Sequence, residues 1–60
     1  MKTYKETKEA VKQLIILFGI DNLLNYDINR LVANGHNSTN IQNAIDYFRY
    51  SPQAKKYRTA

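Results

Sequence analysis

Three apolar stripes at helical spacing, cut apart by glycine, constrain this chain more than any other feature. Val11, Leu14, Ile15 and Phe18 recur at i, i+3, i+4 and i+7, with Ala10 and Leu17 widening the set. Leu24, Ile28, Leu31 and Val32 follow at i, i+4, i+7 and i+8, and Ile41, Ala44, Ile45 and Phe48 repeat the first spacing. A period of 3.6 places each set on one face of a helix. Gly19 and Asn34-Gly35 stand where the first two stripes end, and both tolerate the left-handed backbone that stops a helix. Asn34-Gly35 does not read as a hairpin turn, because neither flank alternates with period two.

Start signals agree with the stripes. Thr3 with Glu6 has the spacing of a capping box. Asp21 or Asn22 can cap a second helix, and Asn37 or Ser38 a third. Lys2–Glu6 and Lys5–Glu9 add weak i,i+4 support on the solvated side of the first helix. Proline disfavours helical angles at the residue before it, so Ser51-Pro52 ends the third helix near Tyr50. Pro52 also suits a first helical position, so residues 52–58 are expected to form a short extra turn with Ala54 and Tyr57 facing inward. The expectation is an all-α, single domain over 1–60, a compact three-helix bundle with helices at 4–18, 22–34 and 38–50. Its expected core is Val11, Leu14, Ile15, Phe18, Leu24, Ile28, Leu31, Ile41, Ala44, Ile45 and Phe48.

Such a domain has a thin core. A chain of 60 residues buries only about 60% of its unfolded surface. Cysteine is absent, which removes disulfides and thiolate metal sites together. One histidine, His36, cannot build a zinc site alone, so no metal and no cofactor is expected. Compact helix packing and association remain as sources of stability. The opening "MKTYKETKEA" lacks the apolar segment of a secretory signal. The longest apolar run, "LIILFGI" at Leu14 to Ile20, is far short of the roughly 20 residues that span a bilayer. A cytoplasmic protein without membrane association is expected, and "NST" at Asn37 to Thr39 reads as helix-start chemistry rather than a glycosylation acceptor.

Catalysis has little to stand on. There is no Gly-rich phosphate loop and no serine in a nucleophile elbow. Glu6, Glu9, Asp21, Asp27 and Asp46 show no paired spacing for acid–base or metal work. His36, following a glycine in a turn, could act with Asp27 or Asp46, but its ordinary reading is an exposed loop histidine. A non-enzymatic protein is expected, with no small-molecule substrate.

Ile28, Leu31, Gly35, Ile41, Ala44 and Ile45 form a helix–glycine turn–helix pattern that resembles the first two helices of ubiquitin-associated domains. The resemblance covers residues 28–48 and implies a three-helix packing with a last helix beginning late, at Pro52. Asn34 and His36 stand where that family has its usual methionine and aromatic residue, the positions that contact ubiquitin, so ubiquitin binding is not implied. A similar turn followed by I-x-x-A-I occurs in DnaD-type replication-initiation domains.

The net charge of +4 is unevenly placed. Residues 1–13 are basic through Lys2, Lys5, Lys8 and Lys12. Residues 14–47 set Arg30 against Asp21, Asp27 and Asp46, and residues 48–60 carry four cations and no acid. The stretch "YFRYSPQAKKYR", Tyr47 to Arg58, interleaves cations with tyrosines. Cations give salt-dependent affinity for phosphates, and tyrosines can stack on exposed bases. Its ordinary reading is that Tyr47 completes the core, that Tyr50 and Tyr57 cover it, and that the cations favour a helix C-terminus.

Two functions follow for a small accessory or inhibitor protein, a type of reading frame common in phages and mobile elements. One is contact with nucleic acid, or with a nucleic-acid-processing complex, through Arg49, Tyr50, Lys55, Lys56, Tyr57 and Arg58. The other is a protein-interaction module that binds a larger host enzyme or assembly, or a second copy of itself. Ile16, Leu23 and Tyr26, which fall off the core stripes, would supply that interface.

Overall fold

Helix α1, Tyr4–Phe18, begins through the reciprocal contacts that its sequence calls for. The Thr3 hydroxyl accepts from the Glu6 backbone N–H at 3.2 Å, and the Glu6 carboxylate accepts from the Thr3 N–H at 3.0 Å. The computed structural model describes residues 1–58. Gly19 ends α1 at φ 90°, with its N–H bonded to the Ile15 carbonyl at 2.8 Å. Few residues other than glycine adopt that backbone.

The second helix starts later than expected. A 3-10 turn, Ile20–Asn22, comes first, and α2 runs Asn25–Ala33. Asn22 does not cap α2. Its side-chain amide turns back to donate to the Phe18 carbonyl at 2.6 Å, closing α1 instead. The chain is extended at Leu24, φ −102° and ψ 160°, and Asp27 takes the helix-start role by accepting from the Leu24 N–H at 3.1 Å.

At the far end of α2 the backbone forms a Schellman closure. Gly35, at φ 96°, donates to the Val32 carbonyl and His36 to the Leu31 carbonyl, each at 3.0 Å. This pattern satisfies carbonyls that a helix end leaves orphaned. Only Gly35 uses the left-handed region, since Asn34 keeps φ −89°. Helix α3, Ser38–Tyr50, has the expected bounds, with the Asn37 side chain accepting from the Thr39 and Asn40 N–H groups at 2.7 and 3.2 Å. Ser51 is extended before Pro52, a second 3-10 turn spans Pro52–Ala54, and α4 covers Lys55–Arg58.

Packing is centred on α1 against α3, with α2 resting on α3 and α4 closing one end against α1 and α3. Val11, Ile15, Leu31, Ile41, Ala44, Ile45 and Phe48 are buried as their spacing requires, while Leu14 and Ile28 are partly buried against them. The Phe48 ring meets Tyr47 and Tyr57 edge-on, at centroid distances of 5.1 and 5.5 Å. Two expected core residues are not in the core: Phe18 is 51% exposed and Leu24 is 63% exposed. The α1 helix stops at Phe18, and the turn at Gly19 sends Ile20 into the core in its place. Leu24 precedes α2 in extended backbone, where helical period does not apply. Ala54 is fully buried and Tyr57 packs against the core, as the proline break implied.

His36 is a further correction. It is 6% exposed, not a solvated loop residue. Its Nδ1 lies 2.8 Å from the Thr7 hydroxyl, itself buried, and neither Asp27 nor Asp46 is its partner. The Thr7 hydroxyl also lies 3.1 Å from the Thr3 carbonyl, so it bridges the first turn of α1 to His36.

Candidate functional site

The fold unites the two basic ends of the sequence. Because α4 packs against α1, the lysines of the first helix face Tyr57 of α4 and Tyr47 of α3 across one groove of about 540 Å³. Tyr4, Lys5, Lys8 and Lys12 form one wall, and Tyr47 and Tyr57 stand on the other, with Phe48 beneath. Spacing explains the first wall: residues 5, 8 and 12 are separated by three and four, so they share a face of α1.

Cations lie on aromatic faces here. The Lys8 ammonium sits 4.5 Å from the Tyr47 ring centroid and 5.4 Å from that of Tyr4. Lys56 lies 5.2 Å over the Tyr57 ring, on the tyrosine side and outside the groove lining. Exposed contacts of this kind contribute about 0.5–1 kcal/mol each. Glu9 is the one acid among the described residues that line the groove, and it is paired with Lys12 at 2.7 Å. Hydrogen bonding to that carboxylate holds the Lys12 ammonium above its ordinary range. Among the described residues, Lys5 and Lys8 remain as the groove cations without a carboxylate at bonding distance.

The residues singled out in the C-terminal stretch separate into three roles. Arg58 is a structural clasp. Its Nη1 donates to the Phe48 carbonyl at 2.9 Å and the Ser51 carbonyl at 2.7 Å, satisfying the exposed end of α3. Tyr57 and Lys56 belong to the groove and its rim. Arg49, Tyr50 and Lys55 are exposed and do not line the groove. Sequence alone missed the contribution of Tyr4, Lys5, Lys8 and Lys12. The signal was present as the concentration of lysine at both chain ends, but nothing local says that those ends meet.

The expected protein interface is rearranged as well. Leu23 is partly buried against the core, so it is packing rather than free surface. Ile16 and Tyr26 are exposed, at 58% and 66%. The neighbours that complete an apolar surface with Tyr26 are Leu17, Phe18 and Leu24, around two recesses between α1 and α2. Among the described residues, no group of three or more histidine or acidic side chains is placed to hold a metal, and no helix is long and apolar enough to cross a membrane. Comparison with protein-family models, curated proteins and solved structures returned no match.

Proposed function

We propose that this protein is a non-enzymatic accessory factor that binds single-stranded nucleic acid along the groove between α1, α3 and α4. One observation carries the proposal: Lys5, Lys8 and Lys12 share a groove with Tyr4, Tyr47 and Tyr57, residues drawn from opposite ends of the chain. Single-strand binders combine a cationic track for the backbone with aromatic faces for the bases. In this groove the phosphates follow Lys5, Lys8 and Lys56. Lys8 leaves the Tyr47 face when a base stacks there and moves to a phosphate.

The site differs from the tail alone. Arg58 is committed to the α3 carbonyls, so the binding cations shift toward the first helix. Duplex is the poorer ligand, because its bases are already stacked and offer the tyrosines no face.

Fluorescence anisotropy with a labelled oligothymidine and a matched duplex, in about 50 mM salt, tests the proposal. Binding of the single strand is expected below about 100 μM, the weak limit of ordinary non-specific association. With three to four phosphates neutralised, log K falls against log salt with a slope of about −2 to −3. The K5E/K8E variant reverses charge at exposed Lys5 and half-buried Lys8, and is expected to keep its helical circular dichroism while losing at least tenfold in affinity. A protein that binds neither nucleic acid at that concentration, or a variant that binds as well as the parent, overturns the proposal.

A further inference from the structure

The pole of the molecule opposite the groove rim, where α1 ends and α2 begins, carries a concentration of exposed apolar side chains. Leu17 is 70% exposed, and Phe18, Leu24 and Tyr26 are each more than half exposed. They surround two recesses of about 510 and 460 Å³ that share Leu17, Phe18 and Asp27. Contiguous apolar surface of this kind marks an interaction site. We propose that the pole binds a second copy of the same chain, giving a two-fold symmetric dimer.

Three observations select that occupant. The first is shape. A two-fold interface must be self-complementary, and this face holds both projections (Leu17, Leu24, Tyr26) and the recesses to receive them. The second is charge. The chain carries a net +4, so two copies repel through most of their surfaces. The polar segment is the exception, with Asp21 and Asp27 against Arg30 alone. Asp27 and Arg30 line the same recess, with Arg30 5.9 Å over the Tyr26 ring. A two-fold axis through that recess sets each arginine toward the other copy's aspartate.

The third observation is the thin core. Among the described residues nine hydrophobic side chains are buried, two of them alanines, and the chain has no cysteine. Domains below about 70–80 residues commonly draw further stability from association. A standard interface takes about 800 Å² from each partner, about one fifth of the 4260 Å² surface here. The proposed dimer buries only the side chains around these two recesses, so it is weak and concentration-dependent.

Sedimentation equilibrium on nucleic-acid-free protein from about 10 to 500 μM, the span of a weak complex on the affinity scale, tests the proposal. The parent chain is expected to pass from monomer to dimer. The L17Q/Y26S variant is expected to keep its helical circular dichroism and to associate at least tenfold more weakly. Dilution of the isotope-labelled parent gives a readout that needs no variant: amide shifts are expected to move at Leu17, Leu24, Tyr26 and Arg30, with Lys5 and Lys8 unchanged. A parent that stays monomeric throughout overturns the proposal, whatever other partner the face then serves. So does a dimer whose dilution shifts lie elsewhere, or one that L17Q/Y26S leaves intact while folded. None of these outcomes depends on whether the groove binds nucleic acid.

Discussion

The seam between α1 and α3 and the pole between α1 and α2 are built from the same kinds of residue, yet one is sealed and the other open. In the seam, Val11 and Ile15 meet Ile41, Ala44 and Phe48, Ala54 closes the end, and the two buried polar side chains, Thr7 and His36, satisfy each other. At the pole, Leu17, Phe18, Leu24 and Tyr26 have comparable apolar bulk, but each is half exposed or more, with no element among the described residues covering them. An apolar side chain is stabilising in proportion to the area that a neighbour removes from water, at roughly 25 cal/mol per Å². Helical spacing brings a residue to a face. It does not supply the neighbour.

The largest expected contrast comes from truncating one phenylalanine on each side. Phe48→Ala removes the ring that Tyr47 and Tyr57 contact edge-on, at a cost of about 3 kcal/mol or more. That is enough to unfold much of so small a domain. Phe18→Ala, at a half-exposed ring, is expected to cost less than about 1 kcal/mol. Urea denaturation followed by circular dichroism, at a concentration low enough to keep the chain monomeric, measures both. Equal losses would erase the distinction between seam and pole.

A smaller effect probes the polar part of the seam. Thr7→Val keeps the side-chain shape but leaves the buried His36 Nδ1 without its 2.8 Å partner. An orphaned buried polar group costs about 1–3 kcal/mol. The double substitution Thr7→Val with His36→Leu is expected to recover part of that loss, since neither member is then left unpaired. If Thr7→Val alone has no effect on the urea midpoint, the pair is not part of what seals the seam.

The smallest effect is at the start of α1, where the seam begins. The Thr3 N–H and hydroxyl both donate to Glu6, and the backbone bond is the larger cause of its carboxyl lying below the ordinary range. A carboxylate whose folded value is depressed stabilises the fold above its unfolded value, and loses that contribution as pH falls through the folded one. Melting temperature is therefore expected to decline slightly more on acidification in the parent chain than in Glu6→Gln. Because Glu6 is fully solvated, the difference is small. Parallel curves through the carboxylate range would show that the capping box does not respond to its charge.

Much of the fold was legible residue by residue. The Thr3–Glu6 box, the stop at Gly19, the span of α3 and the inward Ala54 each follow from rules that act within one or two turns. Local rules failed at two kinds of place. Leu24 was assigned to a helical stripe although its backbone is extended, so its phase carried no information. His36, in the loop after Gly35, reads from sequence as exposed, and only that exposure is wrong. Its burial instead follows from the Schellman geometry, which turns the residue after Gly35 back toward Leu31. The candidate site was legible only in part. Tyr57 and Lys56 were named from the C-terminal stretch, whereas Lys5, Lys8 and Tyr4 joined them through packing.

By itself, the sequence determined where helices start and stop and which side of each is apolar. Those outcomes depend on backbone hydrogen bonds and on periodicity, both of which operate over a few residues. Tertiary structure alone decided which apolar stripe would find a partner. It placed Ile20 rather than Phe18 in the core, turned Arg58 from a free cation into a clasp on α3, and brought lysines near residue 8 to a tyrosine at 57. The physical reason is that burial and charge act through space. Their strength depends on which elements come together, and that is set by how the helices pack, not by any local pattern.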